Sequence, residues 1–159
     1  MSGVGQHASV GAATAAVKAA ILARAASALA DAGETEVDVN MGFVWPAQWL
    51  DAVAVTGVRT SPEEGTLGTR RRREMTVFQD VHIDVFRHTS DEREVHERAY
   101  QLLDVIDRAV RAEPTLDGAA LWCFSDELTS DGATDEDEAG EGRICEIAVT
   151  FAAKVIVTN

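Results

Sequence analysis

Two periodicities alternate along this chain, and the switches between them mark its elements. Residues 11–32 are dominated by alanine, the strongest helix former, with Val17, Ile21, Leu22 and Leu29 at helical spacing. Gly33 suits the left-handed position after a helix end. In residues 36–44, Val37, Val39 and Met41 alternate as in a strand. A break at Pro46, flanked by Trp45 and Trp49, precedes a second strand over 51–58 and a polar loop holding Pro62, Gly65 and Gly68. Residues 74–87 are the clearest β segment: Met75, Val77, Val81, Ile83 and Val85 share a core-like face. Phe78, Asp80, His82, Asp84 and Phe86 share the mixed opposite face.

Thr89 and Glu92 have capping-box spacing. Behind them Val95, Ala99, Leu102, Leu103, Ile106 and Val110 form an amphipathic helical stripe that Pro114 stops. Residues 119–125 predict a short apolar strand. Residues 128–142, acidic, glycine-containing and aperiodic, predict a mobile loop. Residues 143–157 alternate again and predict a long strand, antiparallel to the one before the loop. Residues 1–9 predict a frayed tail, with one domain over 10–159. This order predicts an α+β fold: a mostly antiparallel mixed sheet of four to five strands with two helices on one face.

The length of 159 residues suits one domain with its own core. No apolar run is expected to reach the roughly 20 residues that span a bilayer, and the alanine-rich start lacks the basic and compact apolar regions of a signal peptide. A cytoplasmic site of synthesis and no membrane partner are therefore expected. The net charge of −13 argues against a general nucleic-acid binder, which needs concentrated positive charge. Cys123 and Cys145 do not make a disulfide framework, and each lies in an apolar strand-like segment that predicts a buried reduced thiol.

Candidate chemistry is sparse. His82 and Asp84 form an HxD pair on one strand face, with His88 and His96 near in sequence. A rigid strand offers at most two ligands there, and no HExxH or CxxC spacing occurs, so a solvated polar face is the better reading and no metal is expected. No nucleophile elbow and no phosphate-cradling glycine loop occurs, so neither a catalytic residue nor a cofactor is expected. The acids Asp135, Glu136, Asp137 and Glu138 lack the ligand spacing of a calcium loop and read as a solvated hairpin loop. The run Arg70, Arg71, Arg72, Arg73 holds four of the 14 basic residues of an acidic chain. Three readings compete for it: a solvated loop end, a contact with an acidic subunit or partner surface, and a contact with passing DNA. Net acidity places the protein contact ahead of the nucleic-acid one.

A leading helix, a strand ending near a tryptophan, a loop, then Arg-Arg-Glu-Met-Thr-Val-Phe entering a long strand resembles the tail terminator and tail-completion proteins of long-tailed actinobacteriophages. The strongest local likeness is residues 97–118, ERAYQLLDVIDRAVRAEPTLDG, where Pro114, Leu116 and Gly118 stand in the family's helix-ending turn. The likeness covers roughly residues 12–157, with an acidic insert longer than the pattern leads one to expect. It implies a non-enzymatic virion protein that forms a ring, expected to be a hexamer, on the last ring of tail-tube subunits. Such a ring stops tube polymerisation and offers a surface to the head connector, with DNA passing through its lumen. Long strands leave edges that head-to-tail contacts in a ring can cover. The basic run and the acidic segment are the candidate contact residues. A neck or head-completion protein shares this size and fold class. A small enzyme or metal-binding domain around His82 and Asp84, and a monomeric binding module of a bacterial host, are the remaining alternatives.

Overall fold

The computed structural model describes residues 3–62, 72–137 and 139–158. Its elements, in chain order, are β1 (Gln6–His7), α1 (Val10–Asp31), β2 (Val37–Met41), β3 (Asp51–Pro62), β4 (Arg72–Arg87), α2 (Glu92–Ala112), β5 (Trp122–Asp137) and β6 (Gly140–Thr158). The fold is α+β: one mixed sheet with two helices on one face. It has six strands, more than the four to five expected, in the order β1-β6-β4-β3-β2 with β5 also on β6. The β3–β4, β4–β6 and β5–β6 pairs are antiparallel, and the β1–β6 and β2–β3 pairs are parallel.

The core follows the predicted faces. Met75, Val77, Val81, Ile83 and Val85 of β4 are buried with Cys145, Ile147, Val149, Phe151, Ala153, Val155 and Val157 of β6. Over them lie Ala13, Val17, Ile21, Ala25 and Leu29 of α1 and Val95, Ala99, Leu102, Ile106 and Val110 of α2, both at i, i+4 or i+3 spacing. Small alanine side chains let α1 sit close to the sheet. Its Lys18 Nζ donates to the Thr56 carbonyl at 2.5 Å, beside a bulge between Val55 and Val58 of β3. Gln79, wholly buried on the core face, donates to the Thr56 and Gly57 carbonyls that the bulge frees from the ladder.

The helix ends follow local chemistry. Ser9 caps α1 by accepting from the Ala12 N–H, and Gly33 takes φ +79° beyond its C-terminus, as expected. The cap of α2 is Asp91, which accepts from the Arg93 N–H. Thr89 does not complete the expected capping box with Glu92; its hydroxyl accepts from the Asp91 N–H and orders the cap itself.

Three expectations are corrected. Residues 3–9 are not a frayed tail: Gly5 donates to the Gly118 carbonyl at 2.9 Å and accepts from the Ile156 N–H at 2.7 Å, which docks β1 against β6. Gly5 has φ +67°, and a Cβ there would stand 2.6 Å from the Leu121 nitrogen, so the site needs glycine. Residues 128–137 and 140–142 are not an aperiodic loop: β5 continues through Asp137 and β6 begins at Gly140. Nearly all of β5 is exposed, so its side chains carry no period-two signal, and the backbone ladder to β6 holds it. Finally, α1 has 22 residues and a mean hydropathy of 1.4 over its most apolar window, so by length and composition alone it is long and apolar enough to cross a membrane. In this fold its larger side chains are packed on the sheet.

Candidate functional site

The expected contact segments lie at opposite ends of the sheet. Arg72 and Arg73 are exposed at the start of β4, in register with Thr158 and Val157. Asp135, Glu136 and Asp137 are exposed beyond the other end of β4, where Arg87 pairs with Arg143. Sixteen residues of β4 separate the ends, about 50 Å of extended chain. The two groups therefore cannot neutralise each other within one copy. Arg70, Arg71 and Glu138 lie outside the described residues. Asp137 is also engaged inside the chain: His88 Nε2 lies 2.7 Å from its carboxylate and holds its pKa below the ordinary range, helped by the Ala139 N–H.

A larger exposed feature went unassigned in the sequence. The connection between the parallel strands β2 and β3 carries Phe43, Val44 and Trp45, which are 66%, 49% and 91% exposed. Met41 and Leu50 at its ends are also exposed. Asp38 fixes this connection by accepting from the Gln48 and Trp49 N–H groups at 2.9 and 2.8 Å, and Phe43 lies against the His82 ring on the sheet face away from the helices. Across the sheet, Trp122 and Phe124 of β5 stack with centroids 5.5 Å apart and remain partly exposed. The WPAQW stretch had signalled a break. Its aromatic richness was the available sign of an exposed contact surface.

The outer face also holds the HxD pair. Asp84 sits opposite Glu146, which sits opposite Asp131, so three carboxylates line one row across β4, β6 and β5. Burial first, then Glu146, raises the Asp84 pKa. Among the described residues no three His, Cys, Asp or Glu side chains converge to hold a metal ion.

The fold joins two groups distant in sequence. His96 Nδ1 of α2 lies 3.5 Å from Cys145 Sγ of β6, where Gly132 leaves room for the helix to approach. Burial, reinforced by Glu92, Asp84, Glu146 and Asp131, pushes the Cys145 thiol up to about 11, whereas an activated cysteine needs a lowered pKa. Cys123 is buried and pushed up to about 12.

A second cluster ties four parts of the chain together. Asp51, 3% exposed at the start of β3, accepts from Arg87 at 2.5 and 3.0 Å and from Arg98 Nε at 3.0 Å. Arg98 also holds Glu34 through two bonds of 3.0 and 2.5 Å and draws its pKa down. The charges satisfy one another, so the cluster reads as a clasp joining the end of α1, β3, β4 and α2. No family model matches the chain, and no curated protein matches it.

Proposed function

We propose that this chain is a structural virion protein, a tail terminator whose ring, expected to be a hexamer, caps the tail tube, stops its polymerisation and presents a surface for head joining. The observation that carries an assembly role is the exposed aromatic surface: Phe43, Val44 and Trp45 in the connection between β2 and β3, and Trp122 and Phe124 on β5. Exposed clustered aromatics cost solvation in a lone protein and are recovered by burial against another surface. The placement of exposed bases and acids at opposite ends of the sheet adds polarity, which suits head-to-tail contacts. The likeness of residues 97–118 to the tail terminator family, with the element order, selects this role among assembly roles. The function then rests on contact rather than catalysis. Its partners are further copies, the tail tube protein and the head connector, in the virion and during assembly in the host cytoplasm.

Electron microscopy of the purified chain, alone and mixed with tail tubes, tests this reading. Rings with a central hole, or caps on tube ends, are the expected result. A chain that stays monomeric and also fails to bind tubes overturns it. Binding to head connectors but not to tubes would favour a neck protein instead.

A further inference from the structure

Beside the buried stripe of α2 runs a second stripe that is not buried. Tyr100, Leu103, Asp104 and Asp107 follow one another at i, i+3, i+4 and i+7, so they share one face of the helix. That face and β5 line a groove of about 320 Å³. Leu103, Leu128 and Val149 form its apolar wall. Tyr100 is fixed beside them by its hydroxyl, 2.5 Å from Ser130 Oγ of β5. Tyr100 and Leu128 stay 42% and 44% exposed.

The charge of the groove comes from both walls. The β5–β6 ladder shifts register between Ser125 and Glu127, and this bulge sets Asp126 and Glu127 in succession on the groove. Neither has an ion-pair partner among the described residues. On the helix wall, Asp104 holds Arg108 at 3.0 Å and Asp107 holds Arg111 at 2.7 Å. Asp107 does so through Oδ2, and its Oδ1 is buried with no hydrogen-bond partner among the described residues. A buried acceptor of this kind calls for a donor. No basic side chain is among the described residues that line the groove. Alongside it, β5 pairs with β6 alone among the described residues, which leaves one side of its backbone open to an extended segment.

We propose that this groove docks an extended, arginine-bearing segment of a partner protein. The arginine stem lies along Leu103 and Leu128, its guanidinium stacks on Tyr100, and Asp126 and Glu127 take its N–H groups. Long cationic side chains bury an apolar stem while the charged head stays at a polar rim, which is the pattern of this groove. A guanidinium also stacks on an aromatic ring and bridges carboxylates with a planar fork, which an ammonium does not. A small cation would leave the apolar wall uncovered, and a nucleic acid would set phosphates against carboxylates. The net charge of −13 draws a basic partner from a distance and repels a second copy. The assignment stands apart from the ring reading, because it concerns a partner other than another copy.

Binding of a short synthetic peptide that alternates arginine and threonine tests the groove, measured by calorimetry on the purified chain at low salt. Hydrogen exchange read by mass spectrometry locates the contact. One variant carries Asp126→Asn and Glu127→Gln. A control variant, Asp31→Asn with Glu36→Gln, removes the same charge from exposed acids that do not line the groove. Far-UV circular dichroism checks that both fold. The wild type is expected to bind, with new protection in residues 100–107 and 125–128. The groove variant is expected to weaken binding about tenfold or more and the control less than about twofold, because only the first removes charge-assisted hydrogen bonds. No binding to the wild type, protection confined to other segments, or equal losses in the two variants overturns the proposal, the last because it marks general attraction to an acidic chain. Sedimentation velocity without peptide covers the other occupant: self-association lost in the groove variant alone would mean that a second copy fills the groove, which also overturns it.

Discussion

Removing the Asp51 carboxylate is the sharpest test of what holds the helices to the sheet. Asp51 is 3% exposed and accepts three hydrogen bonds from two guanidinium groups. In Asp51→Ala, Arg98 keeps its two bonds to Glu34, while Arg87 keeps only its bond to the Phe86 carbonyl. Breaking a buried ion pair on one side costs about 3–5 kcal/mol, because the surviving charge stays desolvated. The side chains of Arg87 and Arg98 are 28% and 22% exposed, so water reaches both, which selects the lower figure of about 3 kcal/mol. With a urea slope of about 2 kcal/mol per molar, the unfolding midpoint falls by about 1.5 M. Urea titration followed by circular dichroism at pH 7 measures this. An Asp51→Ala, Arg87→Ala double mutant is expected to lose much less than the sum of its single changes, since the second truncation removes the stranded charge. A midpoint shift under about 0.5 M for Asp51→Ala, or strict additivity in the double mutant, would refute the clasp.

Further outcomes follow from the same geometry. Arg98 lowers the Glu34 pKa, so its contribution is present above the ordinary carboxylate range and is lost as pH falls through the folded value; Arg98→Gln is expected to flatten the acid limb of a stability-against-pH curve. Asp84 has the opposite sign: folding disfavours its ionised form, so Asp84→Asn is expected to raise stability at pH 7 by up to about 1 kcal/mol and to change nothing near pH 3, measured by urea midpoints at both values. Both thiols are buried, with pKa values pushed up to about 12 and about 11, so Ellman's reagent at pH 8 is expected to label neither in the native chain and both after unfolding; rapid native labelling would contradict the burial. Gly142→Ala would place a Cβ 2.2 Å from the Arg87 carbonyl oxygen, a backbone atom with little freedom. A loss of about 2 kcal/mol, read as a melting point about 4–8 °C lower, is expected, and an unchanged melting point would refute the close approach.

Much of this fold is written in local pattern. The alternation in 74–87 assigns β4 and its buried face, and the stripe from Val95 to Val110 assigns α2, because a segment packed on one side must repeat with its own backbone period. Pro114 and Gly33 mark helix ends because their backbone limits act within a few residues. The unusual charge of Arg70–Arg73 and of the acidic segment is likewise visible without coordinates. What required the tertiary structure is whatever depends on a partner distant in sequence. The strand character of 128–137 comes from hydrogen bonds to β6, and an exposed edge strand needs no apolar alternation. The docking of β1 comes from Gly5 and Ile156, joined across the whole chain. The clasp of Glu34, Asp51, Arg87 and Arg98 draws on four segments, and no spacing rule links them. The sequence alone determined that the chain carries a basic run and an acidic segment. Only the strand register decided that the described charges stand at opposite ends of the sheet, because level along a sheet is set by strand pairing and not by position along the chain.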